Sequence, residues 1–169
     1  MDLVTNADTA FRRLGPEHFD EAHHLVVEAT GWLNAKGIRQ WPRPVPAETY
    51  RERHERGENH GYFVKGQLAV VMSLGTSFPD RWQDHDPGGE YRWLATMASS
   101  RQVSRRGLGR AALEAAEDHL CQRGVAYIYL DCVEGNGFLP RFYTEAGYTR
   151  LESCEVRPGL VMHLFRKHL

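Results

Sequence analysis

Cysteine is scarce in this chain: Cys121, Cys132 and Cys154 are odd in number, widely spaced and form no Cys-x-x-Cys pair. That argues against a disulfide framework or a zinc ribbon, and reduced thiols fit a cytoplasmic protein. No apolar run reaches the length of a membrane span, and Met1 to Thr9 is polar and acidic rather than signal-like, so no membrane association is expected. Charge of one sign is lacking as well. Twenty-one Lys and Arg face 22 Asp and Glu, which leaves no net pull toward nucleic acid or an anionic membrane. The nine histidines have no metal-ligand spacing: His23 and His24 are adjacent, His54 and His60 lie six apart, and no His-Glu-x-x-His occurs. No metal is therefore expected. Repeats and low-complexity stretches are absent too.

What is present is an ordinary globular composition, 41% apolar and 25% charged over 169 residues, enough for one domain with its own core. Gly15-Pro16 opens a helix in which Phe19, Ala22, Val26, Ala29 and Trp32 or Leu33 recur every three or four residues, and Gly37 ends it. The prolines at 42, 44 and 46 impose a loop, and a short polar helix is expected over Ala47 to Arg56. Strands are expected near Tyr62–Lys65 and Leu68–Gly75, turning at Gly66-Gln67, followed by a surface loop from Phe78 to Gly89. Tyr91 to Met97 is strand-like. Leu108, Ala112, Ala115 and Leu120 have helical spacing, which Arg123-Gly124 stops. Val125 to Val133 is nearly all apolar, as in a strand buried on both faces. A short helix over Gly137 to Ala146 and a strand pair around Pro158-Gly159 complete the chain. The order predicts a single-domain α/β fold with a mixed, mostly antiparallel sheet flanked by helices.

The densest chemical signal is Ser104-Arg105-Arg106-Gly107-Leu108-Gly109-Arg110, between a strand and a helix. Glycines let a ligand approach the backbone. The helix start offers unpaired N–H groups and the positive end of its dipole, which together suit an anion such as pyrophosphate. Arg101, Arg105, Arg106 and Arg110 crowd the helix end where the dipole disfavours cations, a conflict that a bound anion relieves. Gly107-Leu108-Gly109-Arg110-Ala111-Ala112 also fits the dinucleotide pattern G-x-G-x-x-A, with Asp131 at the expected offset. Against that, nine residues separate the strand from the glycines, and only 38 residues follow Asp131, too few for a doubly wound domain.

Downstream, Asn136, Phe142-Tyr143 and Gly147-Tyr148 follow the buried strand. With the glycine loop, this segment resembles the GCN5-related N-acetyltransferase (GNAT) superfamily. That family's loop reads Gln/Arg-x-x-Gly-x-Gly/Ala, and its later helix reads Asn, Phe-Tyr six and seven positions on, then Gly-Phe/Tyr. The match covers about Tyr91 to Leu151. One departure is that Ser104 stands where the family has Gln or Arg, with Arg105 and Arg106 displaced by one and two positions.

The resemblance implies an acyltransferase that passes an acetyl group from acetyl-coenzyme A to a primary amine of a small molecule or peptide. It divides the chain into an acceptor-side half (1–90), a coenzyme-binding core (91–151) and a C-terminal strand region (152–169). Met97, Ala98 and Ser99 would pair with the pantetheine arm, and Ser104 through Arg110 would hold the phosphates. A splayed Tyr129 to Cys132 would open the slot, with Asn136 and Phe142 lining the coenzyme. Tyr143 would protonate the leaving thiolate: a phenol titrates near about 10 and a thiol near about 8.5, so a neutral Tyr can donate at pH 7. No general base stands out; Glu90, Glu134 and a water chain are the candidates. Trp32 and Trp41 would border the acceptor pocket, although core packing explains Trp32 equally well. Homodimers are common in the family, yet no residue here marks an interface. Two other readings stay open: a coenzyme A-binding regulatory module without turnover, and, disfavoured above, a nicotinamide-linked oxidoreductase.

Overall fold

The structure, a computed structural model, describes residues 8–103, 107–135 and 137–169. Ser104, Arg105, Arg106 and Asn136, all named above as site candidates, lie outside the described residues. The elements run β1 (Thr9–Arg13), α1 (Phe19–Ala35), α2 (Ala47–Glu55), β2 (Asn59–Val64), β3 (Gln67–Gly75), β4 (Tyr91–Ser99), α3 (Leu108–Cys121), β5 (Tyr127–Val133), α4 (Phe138–Glu145), β6 (Thr149–Arg157) and β7 (Leu160–His168). One seven-stranded sheet has the order β1-β2-β3-β4-β5-β7-β6. Every pair is antiparallel except β4 with β5. The mixed, mostly antiparallel α/β domain expected from the sequence is thus observed. No helix among the described residues is long and apolar enough to cross a membrane.

Both sheet faces are covered. Leu108, Ala112, Leu113, Ala116 and Leu120 of α3 and Tyr143 of α4 pack on one face against Val70, Met72, Leu130 and Phe165. On the other, Phe19, Ala22, Leu25, Val26 and Ala29 of α1 meet Phe63, Leu68 and Val71. A third cluster joins Leu33 and Ile38 to Phe78, Trp82, Trp93 and Tyr129.

Three local expectations need correcting. A strand, β1, precedes the first helix; its five residues are half-exposed and gain their ladder from distant β2, so no local pattern announces it. The β2–β3 turn sits at Lys65-Gly66, with φ of 50° and 77°, one residue earlier than expected. Both central residues at positive φ are what a tight two-residue hairpin requires. The segment from Phe78 to Gly89 is not simply a surface loop. It forms a 3-10 turn over Asp80–His85, and Trp82 is 1% exposed. Burying an indole contributes about 3 kcal/mol or more, enough to draw a short polar segment inward.

Two irregularities shape the site. β4 and β5 are in register only at Tyr91–Trp93 against Tyr127–Tyr129. Beyond that, β4 stays with β3 while β5 stays with β7 as far as Val133, so the central strands diverge. β4 also bulges: Val71 pairs with Ala98 and Ser73 with Ala95, leaving Thr96 and Met97 opposite Met72. Thr96 takes φ 54°, a conformation costing a β-branched residue about 1–3 kcal/mol.

Candidate active site

The divergence leaves the β5-facing edge of β4 without a strand partner from Leu94 to Ser99. An open edge of N–H and C=O groups is a template for an extended polar ligand. Three cavities run in line along it. The first, about 230 Å³, is a narrow slot between Met97, Ala98 and Ser99 on one side and Phe138, Leu139, Phe142 and Tyr143 on the other. The second, about 530 Å³, opens at the α3 start between Ser99, Arg101, Gly107, Gly109, Arg110 and Phe142. The third is a cleft of about 460 Å³ on the opposite side of the bulge. Met97, Leu139 and Tyr143 line both the slot and the cleft, so the slot connects the other two.

At the α3 start, Gly107 takes φ 83°, which only glycine adopts without strain. The first bond of the helix is Ala111 N–H to the Gly107 carbonyl at 3.0 Å. The N–H groups of Leu108, Gly109 and Arg110 therefore precede the ladder and are free for an anion. A Cβ on Gly109 would project into the slot, 3.6 Å from Met97 Cε and 3.7 Å from Phe142 Cζ. These features fit the thread-like coenzyme expected here, with the bare Cα at 109 leaving room for its arm. The Arg110 guanidinium is already engaged within the protein: its Nε pairs with Glu114 at 2.8 Å and its Nη1 donates to the Glu145 carbonyl at 2.8 Å. Arg101 lines both the slot and the cavity at the α3 start, its guanidinium lying 4.3 Å over the Trp32 ring.

Tyr143 is 7% exposed and edge-on to Phe142 at 5.1 Å between ring centres. Burial pushes its phenol above the usual tyrosine range, and nearby Cys132 and Asp131 push the same way. It is held neutral at the point where slot and cleft meet. The Cys132 thiol, which lines the same cleft, is pushed up to about 12 by burial first and by Asp131 next.

Of the two tryptophans named for the acceptor pocket, Trp41 lines the cleft and Trp32 lines the slot. Glu90 is not brought to the site. It is exposed, lies just before the closed end of the β4–β5 pair, and its nearest cation is Arg92 at 3.8 Å. Glu134 also points elsewhere, bonded to His163, which in turn meets Ser153 Oγ at 2.6 Å.

The carboxylate that does line the cleft is Asp131, whose Oδ2 accepts from Arg81 Nη1 and from Trp82 Nε1, each at 2.8 Å. Sequence reasoning missed its role in the site, although a charge within a run of buried strand residues was a signal. Arg53 of α2 was missed too. It is half-buried, lines the cleft, and its Nη1 donates to Thr96 Oγ1 at 2.7 Å, fastening α2 to the bulge. No pattern in the polar α2 sequence sets Arg53 apart from Arg51 or Arg56. Among the described residues no cluster of three or more His, Cys, Asp or Glu side chains is arranged to hold a metal ion.

Known proteins share this fold. The model of a family described as the acetyltransferase (GNAT) family matches residues 20–148. A GNAT-family acetyltransferase from Listeria monocytogenes superposes with a TM-score of 0.77 at 24% identity, covering 95% of each chain. The ribosomal-protein-S18-alanine N-acetyltransferase from Escherichia coli gives 0.69 at 18%, covering 95% of this chain and 93% of that one. A ribosomal L7/L12 alpha-N-protein acetyltransferase in complex with coenzyme A gives 0.69 at 16%, covering 99% and 97%. No curated protein sequence matches the chain.

Proposed function

The chain belongs to the GNAT acetyltransferase family, and on that premise we propose that it transfers an acetyl group from acetyl-coenzyme A to a primary amine held in the 460 Å³ cleft. The observation that carries this reading is the continuity of the cavities. A donor lying along the slot presents its thioester beside Tyr143, in line with whatever occupies the cleft. Backbone edge at Met97, Ala98 and Ser99, the free N–H groups of Leu108 and Gly109, and the Phe142 ring would hold the donor.

In the transfer, the amine nitrogen attacks the thioester carbonyl carbon, the carbon–sulfur bond breaks, and the departing thiolate takes the Tyr143 phenolic proton. The nitrogen sheds a proton toward the cleft, where Asp131 is the carboxylate positioned to receive it directly or through water. A phenol above its usual range is a weak acid toward an ordinary thiolate. The thiolate leaves into the same desolvated site, however, where burial already raises the Cys132 thiol to about 12. Donor and acceptor thus shift together and the proton remains transferable.

The test is thiol release from acetyl-coenzyme A across a panel of primary amines. Amine-dependent release with saturation in both substrates is expected. Release that stays at the amine-free rate with every acceptor would overturn the turnover reading.

A further inference from the structure

The cleft is unevenly charged. Among the described residues, Arg39, Arg53, Arg81 and Arg157 line it against the one carboxylate of Asp131. Asp131 is already engaged with Arg81 at 2.8 Å. Among the described residues no carboxylate forms an ion pair with Arg39, Arg53 or Arg157. Glu58, the carboxylate whose charge acts on Arg53, is held by Arg56 through two bonds of 2.7 and 3.3 Å and forms no ion pair with Arg53. Of the five N–H groups on the Arg53 guanidinium, one is used on Thr96.

Building on the acetyltransferase reading above, we propose that the acceptor is a primary amine that also carries a carboxylate within a few bonds, with the carboxylate received by Arg53 and by Arg39 and Arg157 at the rim. The arginines come from three separate elements: the loop after α1, α2, and the end of β6. They converge on the same volume rather than forming one solvated face. They are not explained by the donor, whose phosphates belong at the α3 start, beyond the slot. A half-buried guanidinium without a carboxylate is destabilised by lost hydration, and burial is what lowers the Arg53 pKa. A planar fork with free N–H groups suits a carboxylate in bidentate geometry. Asp131 on the β5 wall and Arg53 on the α2 wall then give the cleft two poles, one for the ammonium and one for the carboxylate of a zwitterion.

The experiment has a kinetic and an equilibrium arm. Kinetically, amino acids are compared with their own α-amides as acceptors, and β-alanine with propylamine. In the first comparison the α-amino group of the amide is the less basic and more available at neutral pH, so intrinsic reactivity favours the amide. The proposal expects kcat/KM higher for the carboxylate member by roughly tenfold or more, the scale of one charge-assisted pair. The Arg39→Gln/Arg157→Gln double variant changes only exposed side chains and should narrow that ratio without altering the melting temperature. At equilibrium, N-acetyl amino acids and their methylamides are titrated in the presence of coenzyme A, followed by Trp41 fluorescence. The carboxylates should bind roughly tenfold tighter, with the difference lost at high salt and in Arg53→Gln. Equal binding, or preference for neutral or cationic amines, overturns the proposal. Should carboxylates bind selectively while no amine is acetylated, the anion site stands and the acetyltransferase reading fails.

Discussion

Tyr143→Phe removes one hydroxyl from the junction of slot and cleft and leaves the ring. The ring contacts with Phe142, Tyr148 and Phe165, at 5.1, 5.8 and 6.1 Å between centres, do not depend on that oxygen. Stability should therefore stay within about 1 kcal/mol of wild type, and donor affinity should be unchanged. The chemical step should slow by roughly 10²–10⁴-fold, the range for a positioned proton donor, or about 3 to 5 kcal/mol of barrier. The pH dependence adds a second constraint. Because burial moves the phenol above its ordinary range, it stays protonated through alkaline conditions. Wild type should show no loss of rate from Tyr143 ionisation below about pH 10, and its acid limb should follow the acceptor amine. The assay is a rapid-quench single turnover with enzyme in excess over acetyl-coenzyme A, beside a melting curve on the same preparation. An undiminished chemical step in a stable Phe variant refutes the donor role. So does an alkaline limb below pH 10 that disappears in the variant.

Gly109→Val adds a branched side chain whose Cβ already sits 3.6 Å from Met97 and 3.7 Å from Phe142. Calorimetry should show acetyl-coenzyme A affinity falling by at least about a hundredfold, since the branched side chain takes up space in the 230 Å³ slot that the donor would need; unchanged affinity in a folded variant would remove the slot from the donor path. Trp41→Ala, on the cleft side, should raise the acceptor KM severalfold and leave donor affinity intact, whereas an equal loss of both would mark Trp41 as structural. His60 is buried against Phe11 and its pKa is lowered to about 4, burial being the largest cause. The unfolded chain, with the ordinary value near 6.5, then binds more protons in between. Stability is full above about pH 6.5 and falls by up to about 3 kcal/mol as pH drops through 4. His60→Leu should flatten that slope in urea melts by close to one proton; an unaltered slope would reject the assignment.

The stretch from β4 to α4 was legible in the sequence because its residues satisfy backbone demands that few others can meet. Gly107 needs positive φ, Gly109 leaves the slot wall without a Cβ, and the Phe142-Tyr143 pair needs the spacing that turns one ring to the slot and the other to the junction. Most elements followed from periodicity for the same local reason. The acceptor half was less legible because it is assembled by contacts distant in sequence. Arg53 reaches Thr96 across 43 positions, and Trp82 reaches Asp131 across 49. The bulge at Thr96 is a register shift against β3, which an apolar strand pattern cannot announce. Trp32 was placed with the acceptor because the first helix and its loop border that pocket in the family the chain resembles; its ring lies under Arg101 and lines the slot. Glu90 was chosen for preceding the right strand, but it precedes the end at which β4 and β5 are still paired.

The central claim is that the acetyl group crosses from slot to cleft and ends on an acceptor nitrogen. The direct test supplies acetyl-coenzyme A labelled with ¹³C at the carbonyl, together with an accepted amine, and follows the label by NMR and mass spectrometry. The account predicts an amide carbonyl resonance on the acceptor, growing in step with free thiol and absent when either substrate is withheld. Label that remains on the thioester despite tight donor binding, or that appears only as acetate or on a side chain of the protein, would contradict it.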